Sequence, residues 1–122
     1  MKPGKTGIRR LIDATSYSMK GLRSTFKNES AFRQELLLVV VLLPLSFVVA
    51  EGHTQWMMLV APLFLLLIVE LLNSAIEAVV DRIGDEHHEL SGRAKDMGSA
   101  AVFVCLVLIA VFWGSTAWQN LL

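Results

Sequence analysis

Polar and apolar positions fall in blocks along this chain, and the blocks predict its elements. Over residues 6 to 27, Ile8, Leu11, Ile12, Thr15, Met19, Leu22 and Phe26 recur at steps of three and four. That period builds one mostly apolar face on a helix. Arg9, Arg10, Lys20, Arg23 and Lys27 fall largely elsewhere. Basic residues opposite an apolar stripe suit a helix lying in the headgroup layer of a bilayer. Asn28 and Ser30 mark a bend into the next element. From there the helical period gives way to continuous apolar runs. The first covers 31–50: its start, Phe32-Arg33-Gln34-Glu35, is polar, and Leu36 to Ala50 is nearly all apolar, with Pro44 inside. Glu51, Gly52, His53 and Thr54 make a short turn. A second run, 56–80, is apolar from Trp56 to Val69 and then carries Glu70 and Glu77, with Asp81 just beyond. Gly84 closes that helix, residues 85–96 form a dense polar loop, and a third run, 97–118, has no charge. Runs of this length cross a bilayer as helices. The predicted fold is an all-α membrane protein: one N-terminal amphipathic surface helix plus three transmembrane helices, in a single domain over 1–122.

Composition agrees with this pattern. The 122 residues suffice for one domain, with 54% hydrophobic and only 18% charged. The formal net charge of +0 leaves no electrostatic footprint for nucleic acid. Cys105 has no second cysteine to pair with and reads as a packing residue inside the third span. The polar, basic start is not followed by a short apolar stretch with a small-residue cleavage site, so no cleaved signal peptide is expected. All eleven basic residues lie in the N-terminal region, at the start of the first span, or at the loop between the second and third spans. Positive-inside placement then puts the N-terminus and the 85–96 loop in the cytoplasm of a bacterial inner membrane, and the C-terminus in the periplasm. Trp56, Trp113 and Trp118 fall at the opposite ends of their spans, where an aromatic belt belongs. Three spans make a thin wall around a polar site, which favours oligomerisation.

The strongest chemical signal is on the second span. Glu70, Asn73, Glu77 and Asp81 share roughly an 80° arc of one helix face, with Ser74 at its edge. Fourteen uncharged residues precede Glu70, and an acid at that depth is expensive enough to be a functional candidate. The alternative is a helix emerging into water with its acids simply solvated, and for Asp81 that alternative stays open. Glu29 sits at the junction of the surface helix and the first span. Glu77 lies two turns (about 10 Å) from Glu70 towards the cytoplasm, at a depth similar to that of Glu29. Two carboxylates at matched depth suit Mg²⁺, which takes few protein carboxylates and completes its shell with water and phosphate. In the loop, Arg93 and Lys95 supply cations for a polyphosphate, while Gly92 and Gly98 permit close backbone approach. The adjacent His87 and His88 point apart on a helix and make a poor zinc pair. Neither a P-loop nor a protein-kinase motif is present.

The run Glu70-Leu-Leu-Asn-Ser-Ala-Ile-Glu-Ala-Val-Val-Asp-Arg-Ile-Gly84 resembles the signature of prokaryotic diacylglycerol kinase. So does Glu89-Leu-Ser-Gly-Arg-Ala-Lys-Asp-Met-Gly-Ser-Ala-Ala101, and so do Lys20-Gly-Leu-Arg23 and Asn28-Glu-Ser-Ala-Phe-Arg-Gln-Glu35. The resemblance covers the whole length. It implies a homotrimeric membrane kinase that transfers the γ-phosphate of Mg-ATP to diacylglycerol, making phosphatidic acid. It further implies Glu70 as the general base, with Asn73 in the same polar network, and Glu29 and Glu77 as holders of Mg²⁺. The nucleotide would meet Arg10, Tyr17, Glu86, His87, His88, Lys95 and Asp96. The lipid would meet Arg10, Ser18, the segment Ala31, Phe32, Arg33, Gln34, Glu35, then Glu70, Ser99 and Trp113. His87 departs from the family pattern, which has a tyrosine there.

Three other readings compete with diacylglycerol phosphorylation. An undecaprenol kinase would use the same Glu70–Glu77 motif. A small proton-coupled transporter would use Glu70 alone and leave Glu29 and the polar loop without a role. A non-catalytic assembly factor would need only the spans.

Overall fold

The computed structural model describes residues 6–84 and 88–122, and every regular element among them is a helix. These are α1 (Gly7–Asn28), α2 (Ser30–Val49), α3 (His53–Ile83) and α4 (Glu89–Leu121). α2, α3 and α4 are each long and apolar enough to cross a membrane.

The connections are short. Between α1 and α2 only Glu29 leaves helical geometry, with φ −117° and ψ 109°. Its N–H still bonds back to Thr25 O at 2.9 Å, and its carbonyl accepts from Arg33 N–H at 3.3 Å. The chain therefore turns a corner at a single residue. At the far end of α2 the turn is Ala50-Glu51-Gly52, and Gly52 has φ +90°, a left-handed conformation that favours glycine. α2 runs unbroken through Pro44, and α3 runs unbroken through Pro62. Pro62 is packed in the interior and Pro44 is exposed, and neither breaks its helix, as membrane helices tolerate.

Two boundaries differ from the sequence expectation. α3 begins at His53, so the turn before it is shorter. α4 begins at Glu89, so residues 89–96, expected as loop, are its first two turns. The cause is local. His88 caps the helix, its Nδ1 accepting the Leu90 N–H at 3.1 Å, and its carbonyl accepts from Gly92 N–H at 2.9 Å. Glu89 in the first turn complements the helix dipole. The dense polarity there belongs to a helix, not a loop.

α3 is the centre of the molecule. It packs most extensively on α4, next on α2, and only slightly on α1. Val39 of α2, Leu63 and Leu66 of α3, and Val102, Cys105 and Ile109 of α4 form the core. Trp113 Nε1–H donates to Leu59 O at 3.1 Å, tying α4 to α3. Asn120 Nδ2 donates to Val49 O at 2.8 Å and to Gln55 Oε1 at 2.7 Å, closing the end of the bundle away from Glu29. Outside this core, large apolar side chains such as Leu37, Phe47, Phe64, Ile68, Phe103 and Val104 are exposed. In water such a surface would drive aggregation; on span-length helices it is the face that lipid or another helix covers. α1 buries no residue, and Ile8, Leu11, Ile12, Met19 and Phe26 stand exposed along it.

Candidate active site at the α1–α2 corner

Glu70 is 3% exposed, in the middle of α3, with Asn73 and Ser74 buried beside it. A carboxylate there has lost its water and needs other partners. One is local: Ser74 Oγ–H donates to Glu70 Oε2 at 3.1 Å, one helical turn away. A second acid comes from α2. The Glu35 carboxyl adjoins that of Glu70, and Glu35 Oε2 is buried without a hydrogen-bond partner. Glu35 was expected only as part of a lipid-contacting segment. Its approach to Glu70 is tertiary, and nothing in the spacing of the two residues announces it.

Towards the end of the bundle that holds Glu29, the same α3 face becomes progressively wetter. Glu77 is half-buried and interacts electrostatically with Glu29, Glu70, Lys95 and Asp81. Two carboxylates from different elements, Glu29 at the corner and Glu77 on α3, are thus brought into range of one another. Among the described residues no cluster of three or more metal-ligating side chains occurs. A carboxylate pair fits Mg²⁺ bound together with phosphate, since such ions keep most of their shell for water and phosphate oxygens. Lys95 Nζ bonds Asp81 at 2.8 Å while also interacting with Glu77. Asp81, 65% exposed at its side chain, therefore has a partner and also faces water.

A groove of about 430 Å³ opens between α1 and α3, lined by Gly21, Ser24, Thr25, Asn28 and Glu29 opposite Leu71, Ser74, Ala75 and Ala78. It connects the corner acid to the partner of Glu70. From the sequence Asn28 marks a bend, Gly21 and Asn28 belong to family motifs without an assigned role, and Ser24 and Thr25 carry no expectation. Their signal was present: small or polar residues at i, i+3, i+4 and i+7 make a second stripe on α1, polar where the first is apolar. Between α3 and α4 lies an apolar groove of about 490 Å³ whose lining includes Asn73 and Gly98. Asn73 Oδ1 is buried without a partner. A Cβ added at Gly98 would collide with that oxygen and lie 3.1 Å from Asn73 Cγ. The glycine makes room for the amide.

The other expected positions scatter more widely. Phe32 is buried at 3% exposure, whereas Ala31 and Gln34 are exposed. Arg33 Nη1 donates to Phe26 O at 2.7 Å and to Lys27 O at 3.2 Å. Arg10, Tyr17 and Ser18 are exposed on α1; Lys20 Nζ lies 5.7 Å from the Tyr17 ring centroid, and Ser18 Oγ–H bonds Ala14 O. Asp96 and Ser99 are exposed on α4, and His88 is its cap. Trp113, with its N–H on Leu59 O, belongs to the helix packing at the other end from Glu29. Glu86 and His87 lie outside the described residues.

The arrangement can accept a proton at a buried carboxylate and hold a cation and phosphates at a wetter acidic edge. Three span-length helices around such a graded acidic face define a small helical membrane protein whose acidic side chains gather towards one end of the bundle. The family model for prokaryotic diacylglycerol kinase matches residues 16–117, and the chain belongs to that family. It is 51% identical over 109 residues to a diacylglycerol kinase of Haemophilus influenzae, covering 89% of this chain and 92% of that protein. It is 51% identical over 112 residues to one from Pseudomonas aeruginosa, covering 92% and 91%. Against the diacylglycerol kinase of Escherichia coli K12 it is 47% identical over 120 residues, 98% of each chain.

Proposed function

We propose that this chain phosphorylates the free hydroxyl of diacylglycerol with ATP at the cytoplasmic face of the bacterial inner membrane. The observation that carries the proposal is the graded acidic face of α3. A buried Glu70 bonded to Ser74 sits deep, and the Glu29–Glu77 pair sits nearer water. A lipid hydroxyl arriving from the bilayer meets the first, and a nucleotide arriving from water meets the second.

In the reaction the hydroxyl oxygen forms a bond to the γ-phosphorus as the bond from that phosphorus to the ADP oxygen breaks. Glu70 takes the hydroxyl proton, and Asn73 completes the polar network around it. Positioning and charge neutralisation supply most of the catalysis in phosphoryl transfer. Glu29 and Glu77 would hold Mg²⁺, which supplies positive charge to the phosphate oxygens. Arg10, Tyr17, Lys95, Asp96 and the segment Glu86-His87-His88 take the nucleotide; Lys95 exchanges its Asp81 contact for phosphate. The lipid runs by Arg10 and Ser18, by Ala31, Phe32, Gln34 and Glu35, and by Ser99, with Trp113 towards its tail. α1 lies in the headgroup layer, and the chain assembles as a homotrimer in which neighbours cover the exposed apolar faces of the spans.

The test is transfer of labelled phosphate from ATP in mixed micelles, with diacylglycerol and undecaprenol offered side by side. Mg²⁺-dependent labelling of diacylglycerol is expected. Labelling of undecaprenol alone would move the substrate to the polyisoprenoid alcohols, and labelling of neither would end the kinase reading.

A further inference from the structure

Arg33 lies one turn into α2, yet its side chain turns back across the corner. Its Nη1 reaches two carbonyls at once, those of Phe26 and Lys27. Both belong to the last turn of α1, where carbonyls have no partner within their own helix. The guanidinium thus supplies donors, and positive charge, where the α1 dipole ends negative. Between donor and acceptors stands Glu29, the one residue that leaves helical geometry. Its φ and ψ alone set the angle between α1 and α2, and α1 itself buries no residue to hold it down. Of the polar side-chain contacts described for α1, the Arg33 bonds are the ones that cross the corner.

We infer that Arg33 is a positioning residue for Glu29: its strap across the corner fixes the direction of that carboxylate and holds it opposite Glu77. The inference rests on the reading of Glu29 and Glu77 as the Mg²⁺ pair. It separates Arg33 from its neighbours in the 31–35 segment, whose contact would be with lipid. Loss of the strap loosens the metal edge of the site and leaves the lipid edge in place.

The experiment uses the full chain in mixed micelles and four variants: Arg33→Ala, Arg33→Lys, Glu29→Gln and the double Arg33→Ala/Glu29→Gln. Activity is titrated with Mg²⁺ and, separately, with diacylglycerol. Mn²⁺ bound in the presence of a non-hydrolysable ATP analogue is measured by electron paramagnetic resonance. Arg33→Ala should raise the half-saturating metal concentration about tenfold in both measurements, the usual scale for removing a group that orients a ligand. KM for diacylglycerol should stay put, Arg33→Lys should recover part of the loss, and Arg33→Ala should add nothing once Glu29 is Gln. A raised KM for diacylglycerol with an unmoved metal curve would overturn the inference and make Arg33 a lipid contact. If Glu29→Gln leaves the metal curve unmoved, the metal reading fails instead. Spin labels at Ser16 and Leu37, in a Cys105→Ala background, then test the strap alone: Arg33→Ala should broaden their distance distribution, and an unchanged narrow one sinks it.

Discussion

Glu70 is held by one hydroxyl and one neighbouring acid, with the Asn73 amide buried nearby. Replacing it with Gln keeps its size and the Ser74 contact but removes the proton acceptor. Glu70→Gln should therefore abolish turnover while ATP still binds; normal turnover would remove Glu70 from the chemistry. Asn73 and Gly98 are a second pair at this scale. The amide occupies the space a Cβ would need, so Gly98→Ala must displace it. Displacement of a catalytic group by about 1 Å can cost on the order of 100-fold in rate. Gly98→Ala should lower kcat by that order, and should lower it little further in an Asn73→Ala background. The importance of Glu70 was legible from the sequence because a lone acid in an apolar run stands out. Glu35 was not legible in the same way. It sits in a polar stretch at the start of α2, and only the packing of α2 on α3 brings it to Glu70.

At the scale of elements, the ends of the helices hold most of the polar contacts between them. Asn120 ties the end of α4 to the α2–α3 turn, and Trp113 ties it to α3. Side-chain hydrogen bonds between membrane helices average about 0.6 kcal/mol. Trp113→Phe, which keeps a ring and loses the N–H, should cost about that much. Asn120→Ala, which loses two bonds, should cost about 1 kcal/mol. Both are read from the thermal midpoint of the detergent-solubilised protein, with kcat retained in the survivors. The spans themselves were legible as long uncharged runs. The start of α4 was not, because residues 89–96, mostly polar, carry no apolar period to announce a helix, and what begins it is the His88 cap. Arg33 was equally silent: a side chain that reaches back over a corner has no signature until the corner exists.

The whole molecule presents far more apolar surface than its own core buries, and the membrane and further copies of the chain are proposed to cover it. The distribution of basic residues predicts which end faces the cytoplasm. In a Cys105→Ala background, a cysteine at Glu51 should react with an impermeant reagent from outside intact cells, and one at Glu89 only after the membrane is opened. The reverse pattern would invert the topology. Cross-linking in detergent should give a ladder ending at three copies. One feature of the fold also governs how the chain can change in length. Because α1 and α2 meet through a single residue, no slack separates their helical phases. An alanine inserted after Glu29 would turn everything beyond it by about 100° relative to α1. That would turn α1 and its polar stripe away from α3, while Glu35 and Glu70, both beyond the insertion, keep their relation. The corner therefore acts as a gearing between the membrane-surface part of the protein and its buried part. Their common register, more than the composition of either, is what insertions and deletions at this point would destroy.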